Sequence, residues 1–260
     1  MKYLMTMALL ALAASAEANA LGSLARVTVV DRDSGVTLRT YYSRGEYWVA
    51  GDPGARYAIE IRNCAGGRLL AVTSVDGVNV LSGDTAGWDQ AGYVFDPGER
   101  YQITGWRKSN SQVAAFTFTD FRDSYAERTG RPANVGVIGI ALFREQPPPA
   151  ALSPLRIAPQ TAESADAAAK AGAPALQRAP GGAVAEPRLG TGHGEREYSY
   201  AVDTEFHRAQ PQPNEIIRIR YDSFENLVAM GIVRGPRPSG HAPDPFPVSE
   251  QRRFVPDPPG

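Results

Sequence analysis

Between Leu24 and Glu145 the apolar residues come in short alternating runs, each cut off by a turn signal, and almost none keep a helical period. Leu24-Ala25-Arg26-Val27-Thr28-Val29-Val30 stops at Asp31-Arg32-Asp33-Ser34-Gly35. Tyr57, Ile59 and Ile61 share one face of the next run. Leu69–Val75 and Val78–Leu81 flank Asp76-Gly77, a pair whose tolerance of positive φ makes it a strong hairpin signal. Asp-Pro-Gly at 52–54 and again at 96–98 places proline and glycine where a type II turn uses them. Tyr101–Trp106, Val113–Thr119 and Val135–Phe143 read as further strands, the last carrying Gly136 and Gly139 as marks of a bulge or a close backbone approach. Regularly spaced short strands of this kind predict a mainly β chain whose main domain, 21–145, is an antiparallel β-sandwich or a barrel-like relative of one.

The ends and the middle read differently. Residues 1–20 follow the order of a cleavable signal peptide: a basic start at Lys2, an apolar run from Leu4 to about Ala14, and Ala18-Asn19-Ala20. The run is shorter than the ~20 residues a bilayer span needs, and no later stretch reaches that length. The expected location is therefore periplasmic or extracellular. Residues 146–187 are rich in alanine and proline and lack aromatics, which predicts a disordered linker. Order is expected to return over 188–234 as a small α+β module. Its expected elements are strands around Tyr198–Val202 and Glu215–Tyr221, a helical turn at Thr204–Arg208, and a helix capped by Ser223 and ended by Gly231. The proline-rich tail, 235–260, reads as disordered.

Composition excludes some classes. Lys+Arg number 27 and Asp+Glu 28, and removal of Lys2 and Glu17 leaves that balance unchanged, so a nucleic-acid partner is not expected. Lysine stands only at 2, 108 and 170. Such an arginine bias arises from a guanidinium-lined surface or, more simply, from genome composition. Cys64 is the single cysteine, so no intrachain disulfide forms, and the ordinary fate of a lone thiol is burial.

Several segments together carry a resemblance: Ser74-Val75-Asp76-Gly77-Val78-Asn79-Val80, Gly92-Tyr93-Val94, Gly105-Trp106-Arg107-Lys108-Ser109, Ser124-Tyr125-Ala126 and Asn134–Gly139. Beyond the linker, Leu189-Gly190-Thr191-Gly192-His193-Gly194 and Ile219–Ser223 belong with them. The set resembles a family of exported Gram-negative bacterial proteins of uncharacterised function. The resemblance implies a bacterial envelope setting and brings no site residue with it.

Catalytic chemistry has little to stand on. His193, His207 and His241 all lie beyond the linker, so 21–145 alone cannot supply a Ser-His-Asp or Cys-His site or a nitrogen-ligated zinc. G-x-S-x-G, H-E-x-x-H and the phosphate-cradling glycine loop are missing from the sequence. No catalytic residue, metal or cofactor is expected. Asp31–Gly35 resembles the opening of a calcium loop, but Tyr42 stands where the twelfth-position glutamate belongs, so a polar turn is the better reading. His193, Glu195 and Glu197 would hold a metal if they stood on a strand with alternate residues aligned, but a solvated glycine-rich loop is the better reading. Asp120 and Asp123, near Ser124 and Tyr125, read as a carboxylate pair or equally as an acidic surface loop.

Trp88 lies among small polar residues from Gly83 to Gly92 and reads either as a ligand platform or as a cap on the core. A binding face, if built, is expected to use Trp88, Trp106, Arg107 and Tyr93. The leading functional expectation is an exported, non-enzymatic binding module for an envelope protein or glycan. A hydrolase of envelope polymers using carboxylates alone, and a structural protein whose strand Glu215–Tyr221 completes a sheet, are the alternatives.

Overall fold

A computed structural model of the chain describes residues 20–147 and 188–234. The expected signal peptide, most of the expected linker and the proline-rich tail lie outside the described residues.

Two sheets pack face to face. The first holds β1 (Ala25–Asp31), β4 (Arg56–Asn63), β10 (Gln112–Asp120) and β12 (Leu189–Tyr198) in that order, with β8 (Arg100–Ile103) also on β4 and β9 (Gly105–Ser109) also on β10. The second runs β2 (Thr40–Ser43), β3 (Glu46–Gly51), β13 (Glu215–Ser223), β11 (Val137–Arg144), β5 (Leu69–Val75) and β6 (Val78–Asn79), with β7 (Tyr93–Phe95) also on β5. The expected β-sandwich is thus the fold, in its open and not its barrel form. Each strand turns its alternate apolar residues inward: Val27 and Val29, Ile59 and Ile61, Phe116 and Phe118, Ile138 and Ile140, Ile217 and Ile219 are all buried in one core.

The turn chemistry acts as the sequence reading expects. Asp76 and Gly77 carry φ of +53° and +74°, the signature of a tight hairpin turn between β5 and β6. In the two Asp-Pro-Gly turns the fourth residue donates back to the aspartate carbonyl, Ala55 to Asp52 and Glu99 to Asp96, each at 3.0 Å. Ser223 Oγ accepts from the Asn226 amide at the start of the helix Phe224–Ala229.

The segment 188–234 differs from expectation in its role. It is not a separate module docked on the sandwich: β12 lies beside β10 along its whole length, and β13 is inserted between β3 and β11. The pairing of β13 with β3 is parallel in an otherwise antiparallel sheet. His193, Glu195 and Glu197, expected in a glycine-rich loop, lie instead on β12, whose glycines sit tight against β10 and its surroundings. A Cβ on Gly190 would stand 2.5 Å from Ser124 Cβ, and one on Gly194 would stand 2.9 Å from the Ala115 carbonyl oxygen. Thr204–Arg208, expected as a helical turn, is not helical and ends in an isolated bridge between Arg208 and Glu145. Cys64 is exposed at the end of β4 and not buried.

A buried polar chain crosses the interior. Tyr57 and Thr191 hydroxyls are 2.6 Å apart, Thr191 and Tyr221 hydroxyls 2.6 Å apart, and Tyr221 donates to Asp76 Oδ1. Asp76 also accepts from the Gly136 amide (2.9 Å) and the Thr191 amide (2.8 Å). Because the Tyr221 proton is committed to Asp76, Thr191 donates to Tyr221 and Tyr57 to Thr191. Burial lifts the Asp76 carboxyl to about 6 against the lowering effect of these donors. The same burial raises both phenols.

Candidate functional site

A groove of about 1260 Å³ runs along the side of the sandwich where β7 ends one sheet and β8 ends a row of the other. Its floor is built by β5, β7 and β8. Its far wall is drawn from the segment Tyr200 to Arg208, part of a strap that crosses from β12 in one sheet to β13 in the other. The strap exists because each end is bonded to the body of the protein.

At the first end, Arg107 on β9 donates through Nη1 to the Ser199 carbonyl at 2.5 Å and through Nη2 to the Tyr93 hydroxyl at 2.8 Å. Tyr101 and Ser199 hydroxyls lie 2.9 Å apart, and the Ser199 and Ala201 amides donate to Ser111 and Asn110. Burial pushes the Tyr93 phenol up, while the Arg107 hydrogen bond works against it. At the second end, Arg208 donates to the carbonyls of Trp88 (2.7 Å) and Gln90 (2.6 Å), with its guanidinium 4.1 Å from the Phe143 ring centroid. Arg68, ion-paired with Glu145, reaches the Glu205 carbonyl at 3.1 Å. The Arg68 pair holds the Glu145 carboxyl below the usual range. Phe206 packs on the small outer cluster Leu70, Val72 and Phe143. Apolar packing thus closes the strap where hydrogen bonds alone would leave it mobile.

Of the four residues expected on a binding face, two meet here: Tyr93 and Arg107 both line the groove. Trp88 stands at its rim, 54% exposed, its main chain pinned by Arg208. It does not cap the core. Trp106 is removed from the binding face: it is 2% exposed, edge-on to Phe116 with centroids 5.2 Å apart, and faces inward on β9. Its neighbour Arg107 points the other way because successive strand residues alternate.

Sequence reasoning missed the strap's contribution. Tyr200 is 63% exposed and Val202 67%, and both line the groove. Their alternation was legible, but it marks an exposed wall and not a strand. His207 also lines the groove, so the histidine-free reading of the sandwich holds only for residues before the linker. Among the described residues no serine or cysteine side chain is hydrogen-bonded to a histidine.

The weaker motifs resolve simply. Asp31 Oδ1 accepts from the amides of Asp33 and Ser34, making Asp31–Gly35 a polar turn, and Arg56 holds the Asp33 carboxyl low. Glu197 pairs with Arg32 (2.7 Å) and Arg56 (3.2 Å), which ties β12 to the strands across the sheet. Among the described residues no group of three or more His, Cys, Asp or Glu side chains gathers as a metal site. No helix there is long and apolar enough to cross a membrane.

Comparison with family models, with curated proteins and with solved structures finds no match to this chain.

Proposed function

We propose that the mature chain is an exported, non-enzymatic envelope protein that binds a protein or glycan in the groove between β7 and the strap. The observation that carries this reading is the groove itself. About 1260 Å³ exceeds the ~300–1,000 Å³ of a typical small-molecule pocket, and its open form suits an elongated ligand. Aromatic rings and fixed arginines supply stacking faces and hydrogen bonds along its length. The order of signals in residues 1–20 supports the export part of this reading.

The hydrolase alternative draws no support from the raised carboxyl, because Asp76, in the β5–β6 turn, is fully buried and is not part of the groove wall. A tether joining two independent modules is no longer part of the reading, since the strands on both sides of 146–187 share one sandwich.

The test is cross-linking capture from the producing cell's envelope together with a glycan array, using tagged mature protein and a Trp88→Ala/Tyr200→Ala variant. One dominant protein or one glycan class, held by the parent and lost by a folded variant, supports groove binding. Folded parent protein that retains neither a protein nor a glycan defeats it.

A further inference from the structure

The outer face of the first sheet carries a line of like charges. Arg26 on β1 stands directly opposite Arg62 on β4, and Arg62 stands directly opposite Arg100 on β8. Directly opposed residues of antiparallel strands project from the same face. Three guanidinium groups therefore form a row perpendicular to the strands, one per strand, and all three residues are exposed. Among the described residues Arg26 and Arg62 make no side-chain hydrogen bond or ion pair. Glu60, one row along, reaches only Arg100, at 3.7 Å, and is shared with Gln102.

Arg32 and Arg56 on the same sheet have an acidic partner in Glu197, and Arg68 and Arg220 have Glu145 and Glu46. Like charges directly opposite one another destabilise a sheet, and of the three arginines Arg100 alone has an acidic partner, so the row works against the fold that carries it. An arrangement that costs stability and awaits counter-charges marks a surface for an anionic ligand.

We infer that the outer face of the first sheet binds a linear acidic polysaccharide laid across β1, β4 and β8, with carboxylate or sulfate groups seated on Arg26, Arg62 and Arg100. Guanidinium forks hold such groups by paired, charge-assisted hydrogen bonds. Neighbouring strands are ~4.8 Å apart, a pitch on the scale of one sugar unit, so a chain laid across the strands can bring its acidic groups to more than one of the arginines. An acidic peptide fits worse: in an extended chain same-face side chains recur every ~6.6 Å and fall out of step. An anionic bilayer fits worse as well. Thr28, Glu60 and Gln102 flank the row, and none of the exposed large hydrophobic residues lies on β1, β4 or β8 to enter a headgroup layer. This surface is independent of the groove.

The experiment measures affinity of the full mature chain for heparin and polygalacturonate, with neutral dextran, poly-glutamate and phosphatidylglycerol vesicles as comparison probes. Arg62→Gln removes the middle of the row. Arg218→Gln makes the same charge change on the other sheet, at an exposed position away from row and groove. Both acidic glycans are expected to bind, with a loss of about tenfold or more in Arg62→Gln and no comparable loss in Arg218→Gln. The thermal midpoint of Arg62→Gln should equal or exceed the parent's, because repulsion in the row is relieved. Equal losses in the two variants, absence of acidic-glycan binding, or tighter binding to poly-glutamate or to vesicles overturns the inference.

Discussion

The Tyr221 hydroxyl donates to Asp76 Oδ1 at 2.5 Å, and this bond joins β13 to a hairpin turn formed 145 residues earlier. The turn residue is fully buried, which is unusual for Asp-Gly, because three donors from three different segments converge on its carboxylate.

That carboxyl makes stability depend on pH in a defined direction. Its folded value of about 6 lies above the ordinary 3.8, so the folded state holds the proton more tightly than the unfolded chain. The stabilisation from protonation is full below about pH 4 and is lost as pH rises through about 6, an effect of about 3 kcal/mol. Asp76→Asn cannot titrate, and its amide would face backbone N–H donors. The stability difference between parent and Asp76→Asn should therefore be largest near pH 4 and shrink toward pH 7, measured by denaturant titration. A difference that stays flat or grows with pH would falsify the assignment.

Cutting the chain between 148 and 187 should leave one folded particle. Protease-nicked protein is expected to run as two fragments on a denaturing gel and as a single species of parental size by gel filtration. β12 remains paired with β10, and β13 remains held between β3 and β11. Removing everything after Glu145 takes out those two strands and should abolish the cooperative unfolding transition.

The two tryptophans should separate cleanly. Trp106→Ala empties a packed core site and is expected to cost about 3–5 kcal/mol. Trp88→Ala should change stability by less than about 0.5 kcal/mol, since its ring is largely exposed and its main chain keeps the Arg208 bonds. Comparable losses in the two would return Trp88 to the core.

Arg208→Ala should release one end of the strap. Two charge-assisted bonds to main-chain carbonyls and the stack on Phe143 disappear together. Hydrogen exchange over 200–209 is expected to accelerate while β4 and β10 keep their protection. Unchanged exchange in the strap would show that Phe206 and Arg68 suffice to hold it.

Alternation and turn chemistry made most of the sandwich legible in the sequence. Ile59 and Ile61, Phe116 and Phe118, and Ile217 and Ile219 each declare a buried face at period two, and Asp76-Gly77 declares its hairpin. Their partners are not declared, because pairing across the long alanine- and proline-rich stretch leaves no local mark. β12 was obscured for a further reason: glycines that read as loop are required there by close approach to β10, a constraint written in the neighbours of Gly190 and Gly194. The site was half legible. Tyr93 and Arg107 lie where an aromatic–polar cluster suggests, but the inward turn of Trp106 depends on register, and the strap depends on where Arg107 and Arg208 reach.

The insertion of β13 between β3 and β11 also sets the order in which the protein can be made. Until residues 215–223 emerge, β3 and β11 present open edges with no strand to bridge them, and the second sheet exists only as two unjoined pieces. Such long-range closure is slow and leaves apolar edges exposed meanwhile. A chain threaded N-terminus first through an export channel would have to be kept from aggregating until nearly its whole length had passed, and would become a sandwich only at the end.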